Sequence, residues 1–167
     1  IGAHYDHLGV RKPMMRKFKD GKLVREVVEP QIHNGADDNA SGVAALLEVA
    51  RILGTEMQPA RSVVFVAFSG EEWGLKGSRR FVRTRTAWQP YAMVNLDTVG
   101  RLGDKKLLVL GSGTASEWRH VAMGIGFTTG VESTAVADDP GGSDQVAFHE
   151  AGVPAVQLFT GPHEDYH

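Results

Sequence analysis

Short apolar runs alternate with segments of helical periodicity along the chain. The runs lie at 62–68, 92–96, 106–110 and 153–159, and the first is unbroken, as in a strand covered on both faces. From Ser41 to Leu53 the apolar positions follow a helical period, and weaker helical patterns cover 77–83, 115–123 and 144–151. This alternation predicts an α/β fold with a mixed, mostly parallel central sheet flanked by helices.

The stretch 11–30 departs from this alternation. It carries seven basic and three acidic residues, and Asp20-Gly21 lies between two apolar flanks. An Asp-Gly pair in that setting is a strong hairpin signal. We therefore predict an exposed basic hairpin insertion over 11–30, a solvated loop in the simplest interpretation and a substrate-gating or partner-binding element in the alternative.

Length and composition narrow the function classes. The chain has 167 residues, 42% hydrophobic and 23% charged, which suits one globular domain. Its net charge of −2 argues against nucleic-acid binding through bulk charge, and no apolar run approaches the roughly 18 residues of a membrane span. The absence of cysteine excludes disulfides and thiolate metal sites, so a metal would have to be held by His, Asp and Glu.

Histidines and carboxylates cluster where the predicted strands end. In an open parallel sheet, ligands bind beyond the carboxyl ends of the strands, so groups at these positions are expected to meet in one crevice. The groups are His4 with Asp6, Asp37 with Asp38, Glu71 with Glu72, Asp97, and the histidines and carboxylates of 163–167.

These residue types suit a site with two divalent ions. Imidazole and carboxylate ligands favour zinc, and a shared carboxylate can bridge two ions. In a pair such as Glu71-Glu72, one carboxylate can bind metal while the other takes a proton from water. Singly, each pair has an ordinary structural interpretation, such as a helix N-terminus for Glu71-Glu72. Their expected convergence favours the metal site.

Six segments together resemble peptidase family M28, the co-catalytic zinc aminopeptidases. They occur in the order found in that family and extend over the whole chain: GAHYDHLG (2–9), HNGADDNASG (33–42), FVAFSGEEWGLKGS (65–78), VNLDTVGR (94–101), GGSDQVAF (141–148) and AVQLFTGPHEDYH (155–167). The resemblance implies the zinc exopeptidase fold. It also implies hydrolysis of the N-terminal peptide bond of a peptide with a free N-terminus.

Carried over by position, the resemblance implies five metal ligands around two zinc ions. The first ion would be held by His4, Asp38 and Asp97. The second would be held by Asp38, Glu72 and His167, so that Asp38 is the shared carboxylate.

The same resemblance implies catalytic roles for two other carboxylates. Glu71 would be the general base that takes the proton of the attacking water, and Asp6 would orient His4. A cis peptide bond is expected between Asp38 and Asn39. One departure is Gln145, which follows Ser143-Asp144 where many relatives have His.

Two alternatives remain at this stage. A glutaminyl-peptide cyclotransferase shares the fold and most ligand positions but uses one zinc, and a peptidase-like domain can lack catalysis altogether. Because relatives extend beyond both ends, 1–167 is expected to be one catalytic domain trimmed on each side. Family resemblance also favours export to the periplasm or the cell exterior.

Overall fold

The computed structural model describes residues 1–11, 14–19, 22–27, 29–85, 88–164 and 166, with 14–19 and 22–27 described as backbone. Ten strands and four α-helices lie within these residues. The strands are β1 (Gly2–His4), β2 (Gly9–Arg11), β3 (Met14–Lys19), β4 (Lys22–Val27), β5 (Gln31–His33), β6 (Val66–Phe68), β7 (Met93–Leu96), β8 (Leu107–Leu110), β9 (Ser133–Val136) and β10 (Ala155–Phe159). The helices are α1 (Gly42–Thr55), α2 (Lys76–Thr84), α3 (Glu117–Thr129) and α4 (Gln145–His149).

A six-stranded sheet in the order β6-β1-β7-β10-β8-β9 forms the centre of the fold. All its pairings are parallel except that between β10 and β8. This confirms the predicted mixed, mostly parallel sheet. It also places the carboxyl ends of β6, β1, β7 and β10 along the same edge.

Apolar side chains cover both faces of the sheet. On one face, α1 packs through Leu46 on Ala3 and Leu96, and α3 packs through Ala122 on Val109. The two clusters share Val94 and Leu158, so both helices lie on this face. On the other face, α2 and α4 contribute to a cluster around Phe68, Met93 and Phe148. Helices on both faces give the layered architecture typical of α/β domains.

One strand prediction needs correction, and one strand of the central sheet was not predicted. The run 62–68 was expected to be covered on both faces, but only 66–68 form a strand, which lies at the edge of the sheet and is partly exposed. The run 62–68 is unbroken in sequence because neighbouring apolar side chains pack on opposite faces of the sheet, Val66 on one face and Phe65 on the other. Strand β9 was not predicted, because its segment Ser-Thr-Ala-Val is short and only partly buried.

Within the stretch 11–30, β3 and β4 pair antiparallel from Met14↔Val27 to Lys19↔Lys22. The predicted turn residues Asp20 and Gly21 lie outside the described residues. A membrane-crossing helix is absent from the described part of the chain, where every helix is too short or too polar.

Candidate metal centre

The carboxyl edge of the sheet brings the predicted site residues together. His4 is the last residue of β1, Asp97 directly follows β7, and Glu71 follows β6 by three residues. Asp38 lies in the irregular turn Ala36–Ser41, immediately before α1. Since β6, β1 and β7 are neighbouring parallel strands, groups at their carboxyl ends must lie side by side.

His4, Asp38 and Asp97 form the first cluster. The Nε2 atom of His4 is 3.2 Å from Asp38 Oδ1 and 3.3 Å from Asp97 Oδ1, and all three side chains are buried. The Nδ1 atom of His4 lies 3.0 Å from the backbone carbonyl oxygen of Asp6. Because a carbonyl only accepts, Nδ1 is the donor, and the ring is held with Nε2 directed at the two carboxylates.

The electrostatics of this cluster favour a cation. Burial lowers the pKa of His4, but the adjacent Asp38 and Asp97 carboxylates outweigh it and raise the pKa to about 11. Burial raises the pKa of Asp97, yet the contact with His4 and the hydroxyls of Ser143 and Thr98 bring it below the usual range. Carboxylates this close together are stable only with positive charge between them, which a metal ion provides.

A second cluster consists of His7, Asp38 and Glu72. The Nδ1 atom of His7 is 2.8 Å from Glu72 Oε1 and 3.7 Å from Asp38 Oδ2. Asp38 thus directs one oxygen at His4 and the other at His7. Sequence reasoning missed His7, although it follows Asp6 in the segment GAHYDHLG.

The position of His7 depends on Gly35. A Cβ atom at Gly35 would lie 2.9 Å from both Cβ and Cγ of His7 and 2.9 Å from the carbonyl oxygen of Asp38. Gly35 also has φ +66°, a conformation that favours glycine. The glycine therefore lets the turn 36–41, which carries Asp38, approach the His7 ring.

Asp6 contacts His4, as predicted, and also the Glu71-Glu72 segment, which was not predicted. Its backbone carbonyl holds His4, whereas its carboxylate lies 3.9 Å from His4 Nδ1. The carboxylate oxygens accept hydrogen bonds from the backbone amides of Glu71 and Glu72, at 3.2 and 3.4 Å. Asp6 thus orients the Glu71-Glu72 segment as well as the first histidine.

Glu71 is buried beside the first cluster. One of its oxygens lies within 4.8 Å of ligand atoms of His4 and Asp97. Burial raises the pKa of Glu71 to about 8; His4 opposes this, and the carboxylates of Asp97 and Asp144 add to it. A carboxyl group this basic can both take and return a proton near neutral pH.

Asn39 fixes the turn that carries Asp38. Its Nδ2 donates to the carbonyl of Leu96 at 2.9 Å, and its Oδ1 accepts from the amides of Gly42 at 2.9 Å and Thr98 at 3.3 Å. These bonds connect the start of α1 to the end of β7. The expected cis peptide bond between Asp38 and Asn39 is confirmed.

Gln145 occupies the position where relatives often have His. Its Nε2 donates to Asp139 Oδ1 and Gln157 Oε1, both at 3.1 Å, and its Oε1 accepts from Asn95 Nδ2 at 3.2 Å. The side chain is fully buried. An imidazole has only two nitrogens, so the amide suits a position with three partners better.

The segment after β10 closes one side of the site. Tyr166 lines an open groove of about 560 Å³ together with His7, Asp38 and Arg101. Burial raises the pKa of Tyr166, and the carboxylates of Asp97 and Asp38 raise it further. Sequence reasoning did not single out Tyr166. The predicted ligand His167 lies outside the described residues.

The donor set fits zinc. Ligand atoms of His4, Glu71 and Asp97 lie within 4.8 Å of one another, as do those of His7, Asp38 and Glu72, and the chain has no thiolate that would favour a softer metal. The predicted ligands His4, Asp38 and Asp97 lie in the first cluster, and Asp38 also lies in the second with the predicted ligand Glu72.

Comparisons with known proteins point to the same family as the sequence motifs. The model of Peptidase family M28 matches residues 1–167. Aminopeptidase YwaD of Bacillus subtilis is 32% identical over 168 residues, which cover 94% of this chain and 36% of that protein. The chain therefore spans about a third of the length of this relative.

Solved structures show the same fold. The crystal structure of BSAP, a zinc aminopeptidase from Bacillus subtilis, superposes with a TM-score of 0.71 and 28% identity over 99% of this chain and 36% of that one. Porphyromonas gingivalis glutaminyl cyclase superposes with a TM-score of 0.65 over 81% of this chain and 53% of that one. Its 23% identity shows a shared fold only.

Proposed function

Because the chain belongs to peptidase family M28, we propose that it acts as a zinc aminopeptidase with two metal ions, cleaving the N-terminal peptide bond of peptides. Its metallopeptidase character follows from the family and from relatives that are zinc aminopeptidases. The two-ion centre and the preference for a free N-terminus are the further steps proposed here.

The position of Asp38 carries this proposal. Its two carboxylate oxygens face different histidines, with Oδ1 3.2 Å from His4 and Oδ2 3.7 Å from His7. A carboxylate serving one ion has no need of a second cluster on its far side. The arrangement therefore favours a shared ligand, with His4 and Asp97 on one side and Glu72 on the other, joined by the predicted His167.

Bound zinc would supply a Lewis acid that polarises the peptide carbonyl and lowers the pKa of a water molecule. The chain supplies the proton acceptor. Glu71 is held at the first cluster because Asp6 accepts hydrogen bonds from the amides of Glu71 and Glu72. From this position beside His4 and Asp97, Glu71 would take the proton of water and return it to the leaving amine.

The groove of about 560 Å³ gives the substrate access to the site. It extends from Asp38 past His7, His33 and Arg101. A peptide lying there would have its scissile carbonyl beside the shared carboxylate. Asp38 and Glu72 also provide negative charge for a protonated N-terminus.

Glu71→Gln tests the proposal, because it keeps the size of the side chain and removes the base. We expect hydrolysis of a free N-terminal dipeptide amide to fall by about 10²–10⁴-fold while zinc content stays at two per chain. Glu150→Gln, at an exposed residue directly after α4, is the matched control and should leave both unchanged.

The alternatives give different results in the same assay. One zinc per chain, with cyclisation of N-terminal glutaminyl peptides and no released amino acid, would assign the chain to the glutaminyl cyclotransferases. Zinc binding without either reaction in the unsubstituted protein would assign it to the non-catalytic domains. Hydrolysis unaffected by Glu71→Gln would remove Glu71 as the base.

A further inference from the structure

Asp37 and Asp38 are consecutive, yet their carboxylates face opposite ways. Asp38 faces the two histidines of the metal centre. Asp37 faces away, and its Oδ1 accepts a hydrogen bond from the amide of Gly100 at 2.7 Å. Its Oδ2 lies 2.7 Å from Nε2 of His163, which must donate because a carboxylate only accepts. The metal-centre roles described above do not use Asp37.

Asp37 thereby joins three loops at the carboxyl edge of the sheet. It belongs to the turn 36–41 that carries Asp38. Gly100 belongs to the loop that follows Asp97, and His163 to the segment after β10. The chain has no cysteine, so no disulfide can hold these loops together. Their relative positions depend on hydrogen bonds of this kind.

The contact with the loop after Asp97 is reinforced by Ser41. Its hydroxyl donates to the carbonyl oxygen of Asp37 at 2.6 Å and accepts from the amide of Val99 at 3.0 Å. Gly100 is required at this point, because a Cβ atom there would lie 2.7 Å from Asp37 Oδ1 and 3.0 Å from Cβ of Ser41. The two loops are therefore closely packed around Asp37.

The contact with His163 is shielded from water. Only 9% of the Asp37 side chain and 8% of the His163 side chain are exposed, so the hydrogen bond is stronger than one at the surface. The carbonyl of His163 accepts from the amide of Tyr166 at 3.2 Å, and the two rings pack edge to face at 6.1 Å. His163 thus also holds Tyr166, which lines the groove beside His7 and Asp38.

We propose that Asp37 and His163 are a positioning pair that fixes the segment after β10 against the shared-carboxylate turn and so sets the zinc affinity of the centre. This inference rests on the metal centre of the proposed function. Groups that orient metal ligands typically change metal affinity by about 10–100-fold when they are lost, and this pair would act on Asp38 through the turn that carries both aspartates. The effect should appear in the zinc dissociation constant, although neither side chain is itself assigned as a ligand.

Three substitutions test the pair: Asp37→Asn, His163→Met and His163→Gln. Met has nearly the length of Gln but no donor, whereas Gln retains an N–H group that can reach Asp37. Zinc dissociation constants are measured by competition with a chromophoric chelator at fixed pH, and folding is checked by circular dichroism. Arg79→Met, which breaks the exposed ion pair with Glu150, is the control for loss of an ion pair remote from the centre.

We expect Asp37→Asn and His163→Met each to weaken zinc binding by about 10–100-fold. His163→Gln should restore most of the affinity, and the Asp37→Asn/His163→Met double variant should be little worse than the poorer single variant. Equal affinity for His163→Met and His163→Gln would overturn the pair, as would an equal loss in Arg79→Met. If the unsubstituted protein binds no zinc, the proposed function itself fails. If the unsubstituted protein binds two zinc ions and these variants also bind two with unchanged affinity, the positioning role of Asp37 and His163 is wrong and the proposed function stands.

Discussion

Asp144→Asn should make the metal-free protein more stable and its metal site weaker. Asp144 lies directly before α4 and is fully buried. Burial raises its carboxyl pKa to about 6 from the usual 3.8, with Asp97 and Asp6 adding to the rise and Ser78 and His4 opposing it. At about 1.4 kcal/mol per pKa unit, the ionised group costs about 3 kcal/mol of folding free energy at neutral pH.

The sign of the pH dependence follows from linkage. Because the folded pKa of Asp144 is the higher one, the folded state binds the proton more tightly, and stability falls as pH rises from about 4 through about 6. An asparagine of the same shape has no such cost. The stability advantage of Asp144→Asn should therefore be about 3 kcal/mol at pH 7.5 and about half of that at pH 5.

Urea unfolding in the presence of a chelator measures this difference at the two pH values. Asp104→Asn is the control, since Asp104 is an exposed carboxylate. Zinc affinity of Asp144→Asn should fall, because the variant removes negative charge near His4 and Asp97. A variant that is no more stable than the unsubstituted protein at pH 7.5, or whose advantage does not change with pH, would refute the reasoning.

Two other substitutions test the surroundings of the metal centre. His7→Ala should weaken zinc binding by about 10-fold or more, because it removes the ring that lies 2.8 Å from Glu72 Oε1. His33→Ala removes a ring that packs edge to face on His7, and it should have little effect in the same chelator titration. Gln145→Met should lower the free energy of unfolding by about 2–5 kcal/mol in urea, because it removes the three hydrogen bonds to Asn95, Asp139 and Gln157 in the interior. A loss below about 0.5 kcal/mol would show that these groups find other partners.

Local pattern was enough to predict most elements. The helical period of 41–53 corresponds to α1, and the apolar runs at 92–96 and 106–110 correspond to β7 and β8. Local pattern did not show that 66–68 is an edge strand, because an apolar side chain packs on a sheet face equally well at the edge and in the centre. Strand β9 was missed because a segment of four residues, two of them polar, gives little hydrophobic pattern.

The convergence of His4, Asp38, Glu72 and Asp97 was also predictable, because each follows an apolar strand or precedes a helix and the ends of parallel strands share one edge. The residue types alone indicated zinc, since a chain without cysteine has only imidazole and carboxylate as strong zinc ligands. The roles of the individual carboxylates came from family resemblance.

Only the tertiary structure showed which groups contact one another around the site. Asp37 and His163 are separated by 126 residues, and Asn39 contacts the Leu96 carbonyl 57 residues away. Such contacts depend on the strand order β6-β1-β7-β10 and on the geometry of each loop, and neither is encoded in local periodicity. The sequence by itself therefore determined the fold class and the chemistry of the site. The tertiary structure decided the partners of each side chain, because hydrogen-bond geometry over distances near 3 Å is set by packing between distant segments.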